Sequence, residues 1–248
     1  MFPEYRAIFK KRGHLYHQAM IRYPNARAEE FLHIVRMADM KDGDIVCDIP
    51  SGGGYLRHFV DRATALCHIE TSDVFAALCR ANGAHHVLLS TLRDIPVATG
   101  AVDKIISLAA LHHVDEKDRF FSEAYRMLRK GGTLTIADVQ AGSAVSEFLD
   151  GFVNEHNRMG HKGTYISPKT QDEIERWGFT VRDSSLIPFH WDFDSPQAMG
   201  QFSQLLFGID KADSAQVVEG IRKHLGYVLD SNACRMNWAL LFLNAEKP

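Results

Sequence analysis

The residues with the clearest capacity for proton transfer are two histidines and an acid that follow strand-like segments. His112 and His113 come after the apolar run that ends at Leu108, and Asp138 lies at the end of the run 133–139. The carboxyl ends of neighbouring parallel strands meet at one edge of an open α/β sheet, where such sheets bind ligands. Asp138 is therefore expected to orient His112 and raise its basicity, which would make His112 a general base.

Adjacent positions of a chain are not expected to direct both side chains into one pocket. We therefore expect His112 to face the site. His113 remains a candidate substrate contact, with packing beneath the adjoining helix as the alternative.

A second group of residues is typical of a nucleotide site. The apolar run 45–48 ends in an acid and is followed by the turn PSGGG at 50–54. Glycines allow a ligand to approach the backbone, and the first N–H groups of a following helix face its anionic end. The window that starts at Gly52 has Arg57 where a nicotinamide-binding fingerprint requires its last glycine. The turn therefore disfavours a dehydrogenase.

Glu70 ends the next strand-like run, 65–69. An acid at that position can accept hydrogen bonds from both hydroxyls of a ribose, although a solvated carboxylate at a strand end is the alternative. Because the glycine turn and the acid occur in order within one strand–helix–strand unit, the sequence predicts adenosine binding.

Alternating helix and strand patterns predict the elements that position these residues. Strand-like runs cover 45–48, 65–69, 86–89, 104–108, 133–139, 179–189 and 236–243. Helical patterns cover 27–40, 74–81, 118–128, 143–159 and 167–177, and two more helices are expected between Ser195 and Asp230. The pattern predicts an α/β, Rossmann-like, seven-stranded and mostly parallel sheet with helices on both faces. The second of the last two helices is expected to carry Val217, Val218, Ile221, Leu225, Val228 and Leu229 on one face.

Four regions are predicted. They are N-terminal helices or a flap at 1–40, a binding core at 41–190, a small helical lid at 191–235 and the last core strand at 236–248. The lid, with residues 154–165, is expected to close a pocket above the carboxyl ends of the strands. Phe2, Tyr16 and Tyr23 are candidates for the flap, with ordinary helix packing as the alternative.

Composition limits the partners. The 248 residues have a formal net charge of -3, and the run Lys10-Lys11-Arg12 is interpreted as a solvated helix end, so no nucleic acid partner is expected. The N-terminus lacks the apolar core of a signal peptide and no stretch has the length of a membrane span, so a soluble cytoplasmic protein, monomeric or homodimeric, is expected. Cys47, Cys67, Cys79 and Cys234 form no CxxC pair and are interpreted as buried small hydrophobic residues.

Taken together, four stretches resemble class I S-adenosylmethionine-dependent methyltransferases. The broad group includes the ubiquinone and menaquinone C-methyltransferases and many natural-product methyltransferases, and the resemblance covers about residues 27–187. The stretches are DIVCDIPSGGGYL at 44–56, HIETS at 68–72, LRDIPVATGAVDKIISLAALHHV at 92–114 and EAYRMLRKGGTLTIAD at 123–138. The resemblance implies S-adenosylmethionine as cofactor and S-adenosylhomocysteine as product.

The resemblance also implies a set of cofactor-binding residues. Asp48, Pro50, Gly52 and Gly54 would surround the methionine part, Glu70 would hold the ribose, Thr71 would lie beside the adenine, the backbone of Thr91 and Leu92 would contact the adenine edge, and the Leu108 carbonyl would receive the amino group. Two positions depart from the family pattern. Pro50 replaces the usual first glycine, and Thr91 stands where an aspartate is common.

For the acceptor, the resemblance implies transfer to a small molecule. Sugar and phenol O-methyltransferases of this family are similar in pairing a histidine and an aspartate at the positions of His112 and Asp138, which favours a hydroxyl acceptor of secondary-metabolite type. C- or N-methylation, and a cofactor-binding protein without transferase activity, stay open. Candidate substrate contacts are His113, His156, His161, Tyr165, His190 and Trp191, with ordinary surface residues as the alternative.

No metal is predicted. His156 and His161 are five residues apart, which matches neither a helical pair of ligands nor a zinc motif. A magnesium site could draw only on Asp115, Asp138 and Gln140.

Overall fold

A computed structural model describes residues 5–60, 65–231 and 233–248, and a mixed sheet organises them. The strands are β1 (Ile45–Asp48), β2 (Ala65–Glu70), β3 (Val87–Leu89), β4 (Val102–Leu108), β5 (Leu128–Asp138), β6 (Thr180–Phe193), β7 (Tyr227–Leu229) and β8 (Cys234–Glu246). Their order is β3-β2-β1-β4-β5-β8-β6, and β7 pairs with β8. The five strands from β3 to β5 are parallel, whereas β8 runs antiparallel to both β5 and β6.

Helices cover both faces of this sheet. They are α1 (Tyr5–Arg22), α2 (Ala28–Ala38), α3 (Asp73–Ala81), α4 (Lys117–Met127), α5 (Ala144–Phe148), α6 (Asn154–His156), α7 (Pro168–Arg176), α8 (Pro196–Phe207) and α9 (Ser214–His224). A π-helical turn, Leu149–Val153, joins α5 to α6, and short 3-10 turns occupy Tyr55–His58 and Leu111–His113. The predicted α/β, Rossmann-like and mostly parallel fold is confirmed.

The predicted number of strands is wrong by one. Strand β7 lies where the sequence pattern extended the last helix to Leu229. Helix α9 instead ends at His224, and Gly226 follows with φ +73°. Val228 and Leu229 are 48% and 59% exposed, so they do not continue the apolar face that Val217 and Ile221 bury.

Several elements are longer or shorter than the patterns indicated. Strand β5 begins at Leu128 and contains the two glycines that were expected to precede it. Strands β6 and β8 pair along their lengths, from Thr180 opposite Glu246 to Phe193 opposite Cys234. The helical segment expected to reach Met159 ends at His156. Pairing between β6 and β8 extends both strands beyond their apolar runs, because ladder hydrogen bonds do not depend on side-chain polarity.

The two N-terminal helices pack against different parts of the molecule. Helix α1 contacts α3 and α8, while α2 packs on β5 and β6. Tyr5 and Phe9 form a small apolar cluster with Phe75 of α3. Tyr23 donates a hydrogen bond to Gln201 of α8 (2.9 Å). Phe2 lies outside the described residues, and the four predicted regions stay a prediction.

The interpretation of the basic run 10–12 is wrong for one residue. The run lies within α1 rather than at its end, and Lys10 and Lys11 are exposed. Arg12, however, is only 8% exposed. A single charge of this run therefore points inward.

Cys47, Cys79 and Cys234 are buried, Cys67 is partly buried, and all four are free thiols. No helix among the described residues is both long and apolar enough to span a membrane.

Candidate active site

The first cavity lies at the carboxyl ends of β1 and β4 and has a volume of about 480 Å³. Its lining includes Tyr5, Phe9, Tyr16, Arg27, Phe31, Asp48, Pro50, Ser51, Gly52, Tyr55, Leu56, Phe75, Leu108, Ala109 and Ala110. Four residues assigned to the cofactor by resemblance, Asp48, Pro50, Gly52 and Leu108, line it.

Glu70 is the acid that ends β2, and its side chain is fully buried. Its carboxylate accepts hydrogen bonds from the backbone N–H groups of Gly52 (2.7 Å), Thr71 (2.7 Å) and Ser72 (2.8 Å), and from the Tyr5 hydroxyl (3.1 Å). Burial raises the pKa of Glu70 to about 7, and these hydrogen bonds offset only part of that effect. The alternative of a solvated strand-end carboxylate is wrong.

Asp48 has a partner that sequence reasoning missed. The Nδ1 atom of His68, on the neighbouring strand, lies 3.2 Å from the Asp48 carboxylate, and both side chains are buried. Burial alone would lower the pKa of His68, but contacts with Asp48 and Cys79 outweigh burial and raise the pKa to about 10. The parallel register that pairs Asp48 with His68 could have indicated this contact.

Two observations test whether the first cavity fits an adenosine-type cofactor. A methyl group placed on Gly52 would meet no described atom within 4 Å, so space lies open against the backbone. The hydroxyl oxygen of Ser51, which lines the cavity, is buried and has no hydrogen-bond partner among the described residues, and the same holds for Thr71, which lies outside the lining. Polar atoms left in this state are typical of a site that receives a ligand. The residues present therefore fit the cofactor.

Thr91 and Leu92, which the resemblance places beside the adenine, lie apart from the first cavity. Thr91 is exposed and its hydroxyl accepts a hydrogen bond from the Arg93 N–H group (3.4 Å), while the Leu92 side chain packs in the core. Neither residue is among those that line the first cavity.

Gly54 has φ +75°, and a methyl group there would meet Cys79 Sγ at 2.5 Å, so the turn requires glycine at this position.

A second cavity adjoins the first and has a volume of about 530 Å³. Its lining comprises Phe9, Arg12, Tyr16, Arg27, Ala109, His112, His113, Val139, Leu149, His161, Trp191, Leu206, Phe207, Trp238 and Leu240. Phe9, Tyr16, Arg27 and Ala109 line both cavities. Two ligands bound in these cavities would therefore lie next to each other.

The structure brings His112 and Asp138 together in the wall of the second cavity. His112 Nδ1 lies 2.7 Å from Asp138 Oδ1, and the carboxylate also accepts hydrogen bonds from the backbone N–H groups of Ala110, His112 and Val139. Burial would raise the pKa of Asp138, but His112 and these donors outweigh it and lower the pKa. An ionised Asp138 holds the proton of His112 on Nδ1 and leaves Nε2 free to accept another.

The expectation that adjacent histidines cannot share a pocket is wrong. His112 and His113 both line the second cavity, and their ring centroids are 4.1 Å apart. The 3-10 turn Leu111–His113 replaces the extended chain on which that expectation rested, so successive side chains no longer alternate between opposite faces. His161 joins them, with its ring 5.8 Å from His112 and 5.3 Å from His113.

Burial lowers the pKa of His113 well below its ordinary value and lowers that of His161 to about 4. Nδ1 of His161 lies 3.5 Å from Asp150 but has no hydrogen-bond partner in the described part of the chain. Both rings are therefore neutral at neutral pH, and they supply polarity to the cavity without charge.

His112, His113 and His161 also have the geometry of a loose metal-ligand group. One ring nitrogen from each lies within 4.8 Å of the others. The positive charge of Arg12 acts on both His113 and His161 and lowers their pKa values. No carboxylate is found among the residues that line the second cavity. Since Arg12 lines the cavity and no acid does, we assign no metal to this group.

Three predicted substrate contacts lie elsewhere. His156 stacks on Phe152 and lines a separate cavity, because its place in α6 turns it towards α9. His190 lies beside Glu29 and is 39% exposed; neighbouring residues of a strand point to opposite faces, so only Trp191 faces the second cavity. Tyr165 is beside the cavity rather than in its lining. Its hydroxyl donates to Asp150 (2.6 Å), and its ring lies 6.0 Å from His112.

Sequence reasoning missed most of the residues that α1 and β8 contribute. Tyr5, Phe9, Arg12 and Trp238 carried no motif, and only their packing places them at the cavities. Leu206 and Phe207 of α8, in the predicted lid, also line the second cavity.

Known proteins resemble this chain over part of its length. Residues 47–136 match the family model of a methyltransferase domain. An arsenite methyltransferase from Halobacterium salinarum is 28% identical over 112 residues, which cover 41% of this chain and 29% of that protein. The chain therefore spans about three tenths of the length of this curated relative.

Solved structures share the fold. A S-adenosylmethionine-dependent methyltransferase from Thermotoga maritima is 16% identical with a TM-score of 0.65, over 98% of this chain and all of that one. Geranyl diphosphate C-methyltransferase from Streptomyces coelicolor, in complex with S-adenosylhomocysteine, is 12% identical with a TM-score of 0.59. The match covers 94% of this chain and 84% of that one. The cyclase SpnF is 17% identical with a TM-score of 0.64, and the match covers 100% of this chain and 97% of that one.

The resemblance to a class I S-adenosylmethionine-dependent methyltransferase is confirmed by the family match and by the fold. The match to the methyltransferase domain covers residues 47–136, and S-adenosylmethionine is the cofactor that this class implies.

Proposed function

We propose that this chain transfers a methyl group from S-adenosylmethionine to a hydroxyl of a small molecule. The observation that carries the proposal is the His112–Asp138 pair, with Nδ1 and Oδ1 2.7 Å apart, in the wall of a cavity that adjoins the nucleotide-type cavity. A hydroxyl is a poor nucleophile until its proton is removed, so this acceptor makes the most use of such a pair.

The cofactor is assigned to the first cavity. Asp48, Pro50, Gly52, Gly54 and Leu108 would surround its methionine part, Glu70 would hold the ribose, and Thr71, Thr91 and Leu92 would contact the adenine. The open space against Gly52 and the unpartnered hydroxyls of Ser51 and Thr71 support this placement.

S-adenosylmethionine, when bound, supplies an electrophilic methyl group. His112 Nε2 would take the acceptor's proton as the new bond forms, and Asp138 would stabilise the resulting imidazolium through Nδ1. The aromatic walls of the second cavity, Phe9, Phe207, Trp191 and Trp238, would hold the acceptor and exclude water. Holding the hydroxyl opposite the sulfonium would supply most of the remaining acceleration.

The test is turnover of the His112→Ala variant. We expect kcat to fall about 10²- to 10⁴-fold while S-adenosylmethionine affinity stays nearly unchanged, because the variant loses proton transfer but keeps the first cavity. Asp138→Asn should lower kcat less than His112→Ala does, since Asp138 supports the proton transfer without performing it. His156→Ala is the matched control, because His156 lies in another cavity.

A His112→Ala enzyme with wild-type kcat on its own acceptor would exclude the general base. C- or N-methylation would then become the better assignment, as in the C-methyltransferase that shares the fold. Binding of S-adenosylmethionine without turnover of any acceptor would favour a protein without transferase activity.

A further inference from the structure

Arg12 is the buried charge that the proposed mechanism does not use. It lies in α1, is 8% exposed and lines the second cavity. Its Nη2 atom donates to the Leu206 carbonyl (3.0 Å), and its Nε atom is buried without a hydrogen-bond partner among the described residues. A guanidinium has five N–H donors, so most of this group's hydrogen-bonding capacity is unused.

The other arginine of this cavity shows how a buried charge is normally compensated. Arg27 makes two hydrogen bonds to the Glu30 carboxylate, and both side chains are buried. No such carboxylate pairs with Arg12 in the described ranges. Asp210 acts on Arg12 from a distance, but its own ion pair is with the exposed Arg158 (3.3 Å).

Arg12 remains charged at neutral pH. Burial lowers its pKa to about 10, which is still far above neutrality. An uncompensated buried charge costs several kcal/mol, so a protein that keeps one generally places a ligand or partner against it.

The rest of the cavity is built for an apolar body. Trp191 and Trp238 stack with ring centroids 4.2 Å apart, and Phe207 stacks on both at 6.1 and 5.9 Å. The remaining polar groups of the lining are Arg27, Tyr16 and the three histidines, and no acid contributes to it. A negative group on the ligand would therefore meet attraction and no repulsion from the lining.

We propose that Arg12 binds an anionic group, a carboxylate or a phosphate, on a planar hydroxylated acceptor whose body lies against Trp191 and Trp238. This assignment rests on the proposed function for the identity of the second cavity as the acceptor site. Binding of the anion itself does not require turnover, so it can be tested separately.

The test is binding measured by tryptophan fluorescence and by calorimetry, in the presence of S-adenosylhomocysteine. Trp191 and Trp238 line the cavity and report on occupancy directly. The probes are 4-hydroxybenzoate, 4-hydroxyphenyl phosphate and the neutral isostere 4-hydroxybenzamide. We expect one of the anions to bind at least about 10-fold more tightly than the amide, and the tighter anion identifies the group.

Arg12→Met should weaken binding of the anion about 10- to 100-fold and leave binding of the amide unchanged. Arg6→Met, an exposed arginine of the same helix, is the matched control. The melting temperature of Arg12→Met should equal or exceed that of the wild type, because an uncompensated charge is removed. If Arg12→Met does not fold, Arg12→Lys should retain the preference for the anion.

Equal affinity for the anions and the amide, or anion binding unchanged in Arg12→Met, would overturn the proposal. If Arg12→Met does not fold, loss of the anion preference in Arg12→Lys would overturn it. So would a wild-type protein whose tryptophan fluorescence and calorimetry show no binding of either anion. If anions bind through Arg12 and no methyl transfer is found, the anion site stands and the proposed activity fails.

Discussion

Buried charged side chains determine what each cavity can bind. Glu70 is fully buried, and four donors surround its carboxylate, one of them the Tyr5 hydroxyl from α1. A ligand with two vicinal hydroxyls could replace the Tyr5 contact and use the oxygen that Tyr5 occupies. If the cofactor binds at Glu70 as proposed, this acid would link cofactor binding to the position of α1.

Glu70→Ala is expected to weaken binding of both S-adenosylmethionine and S-adenosylhomocysteine. Loss of a charged contact to two hydroxyls costs about 2 to 3 kcal/mol, or roughly 30- to 150-fold in affinity. Calorimetry measures the effect, with Glu155→Ala, an exposed acid, as the control. Glu70→Gln keeps one acceptor oxygen and should therefore weaken binding of both ligands less than Glu70→Ala does. Unchanged affinity in Glu70→Ala would rule out the ribose contact.

His161 gives the protein a sensitivity to acid. Burial lowers its pKa from 6.5 to about 4, so protonation favours the unfolded chain. Its contribution to the free energy of unfolding is therefore present above pH 6.5 and is lost as the pH falls through 4. Between pH 6.5 and 4.5 the free energy of unfolding of the wild type should fall more steeply than that of His161→Gln. We expect the difference to be up to about 1.4 kcal/mol per pH unit.

Urea denaturation at a series of pH values measures this difference. His14→Gln, which replaces an exposed histidine of α1, is the control and should follow the wild type. Equal pH dependence in wild type and His161→Gln would show that His161 does not titrate as its burial implies.

At the level of elements, short turns decide which side chains share a cavity. The 3-10 turn Leu111–His113 places two adjacent histidines on one wall, and the C-terminus of α8 holds Arg12. Gly208, which ends α8, has φ +64°, and a methyl group there would meet Arg12 Nε at 2.4 Å. One glycine thus serves both the helix end and the position of the arginine.

Gly208→Ala should therefore destabilise the protein by more than backbone strain alone. A left-handed conformation costs alanine about 1 kcal/mol, and displacement of Arg12 should add about 1 kcal/mol or more. Gly142→Ala is the matched control, because Gly142 has φ +74° and open space around it. Thermal or urea unfolding measures both variants.

Gly208→Ala should lose more stability than Gly142→Ala only while Arg12 is present, since the clash involves the guanidinium. This additional loss should disappear when Arg12→Met is combined with Gly208→Ala. Equal destabilisation by Gly208→Ala and Gly142→Ala would mean that Arg12 moves away at no cost.

Across the whole molecule, one buried network ties the N-terminal helices to the antiparallel side of the sheet. Glu30 of α2 accepts hydrogen bonds from Arg27 and from Trp191 of β6 (2.9 Å), and the Arg27 guanidinium lies 5.3 Å from the Trp191 ring. Burial alone would lower the pKa of Arg27, but Glu30 outweighs it and raises the pKa. Since Arg27 lines both cavities, this network also sets their shared wall.

Glu30→Ala should lower the free energy of unfolding by about 3 to 5 kcal/mol, because it leaves Arg27 buried without its counter-charge. Glu29→Ala, at a site 45% exposed on the same helix turn, should cost much less. Urea denaturation monitored by circular dichroism compares the two. A loss below about 1 kcal/mol for Glu30→Ala would show that water or another group compensates Arg27.

The class of fold, the glycine turn with its acids, and the contact between His112 and Asp138 could all be predicted from the amino-acid sequence. These features follow from local periodicity and from the order of strands, because the carboxyl ends of parallel strands always meet at one edge of the sheet. The positions of Asp48 and Glu70, the acids that end β1 and β2, could be predicted from these local patterns.

Which other side chains reach the cavities depends on tertiary packing and could not be predicted from the sequence. Arg12 and Trp238 are 226 positions apart in the chain and carry no motif, yet both line the second cavity, while His156 and His190 turn away from it. The reason is physical: the direction of each of these side chains depends on how α1, α6 and β6 pack against elements distant in sequence, and local periodicity contains no information on that packing.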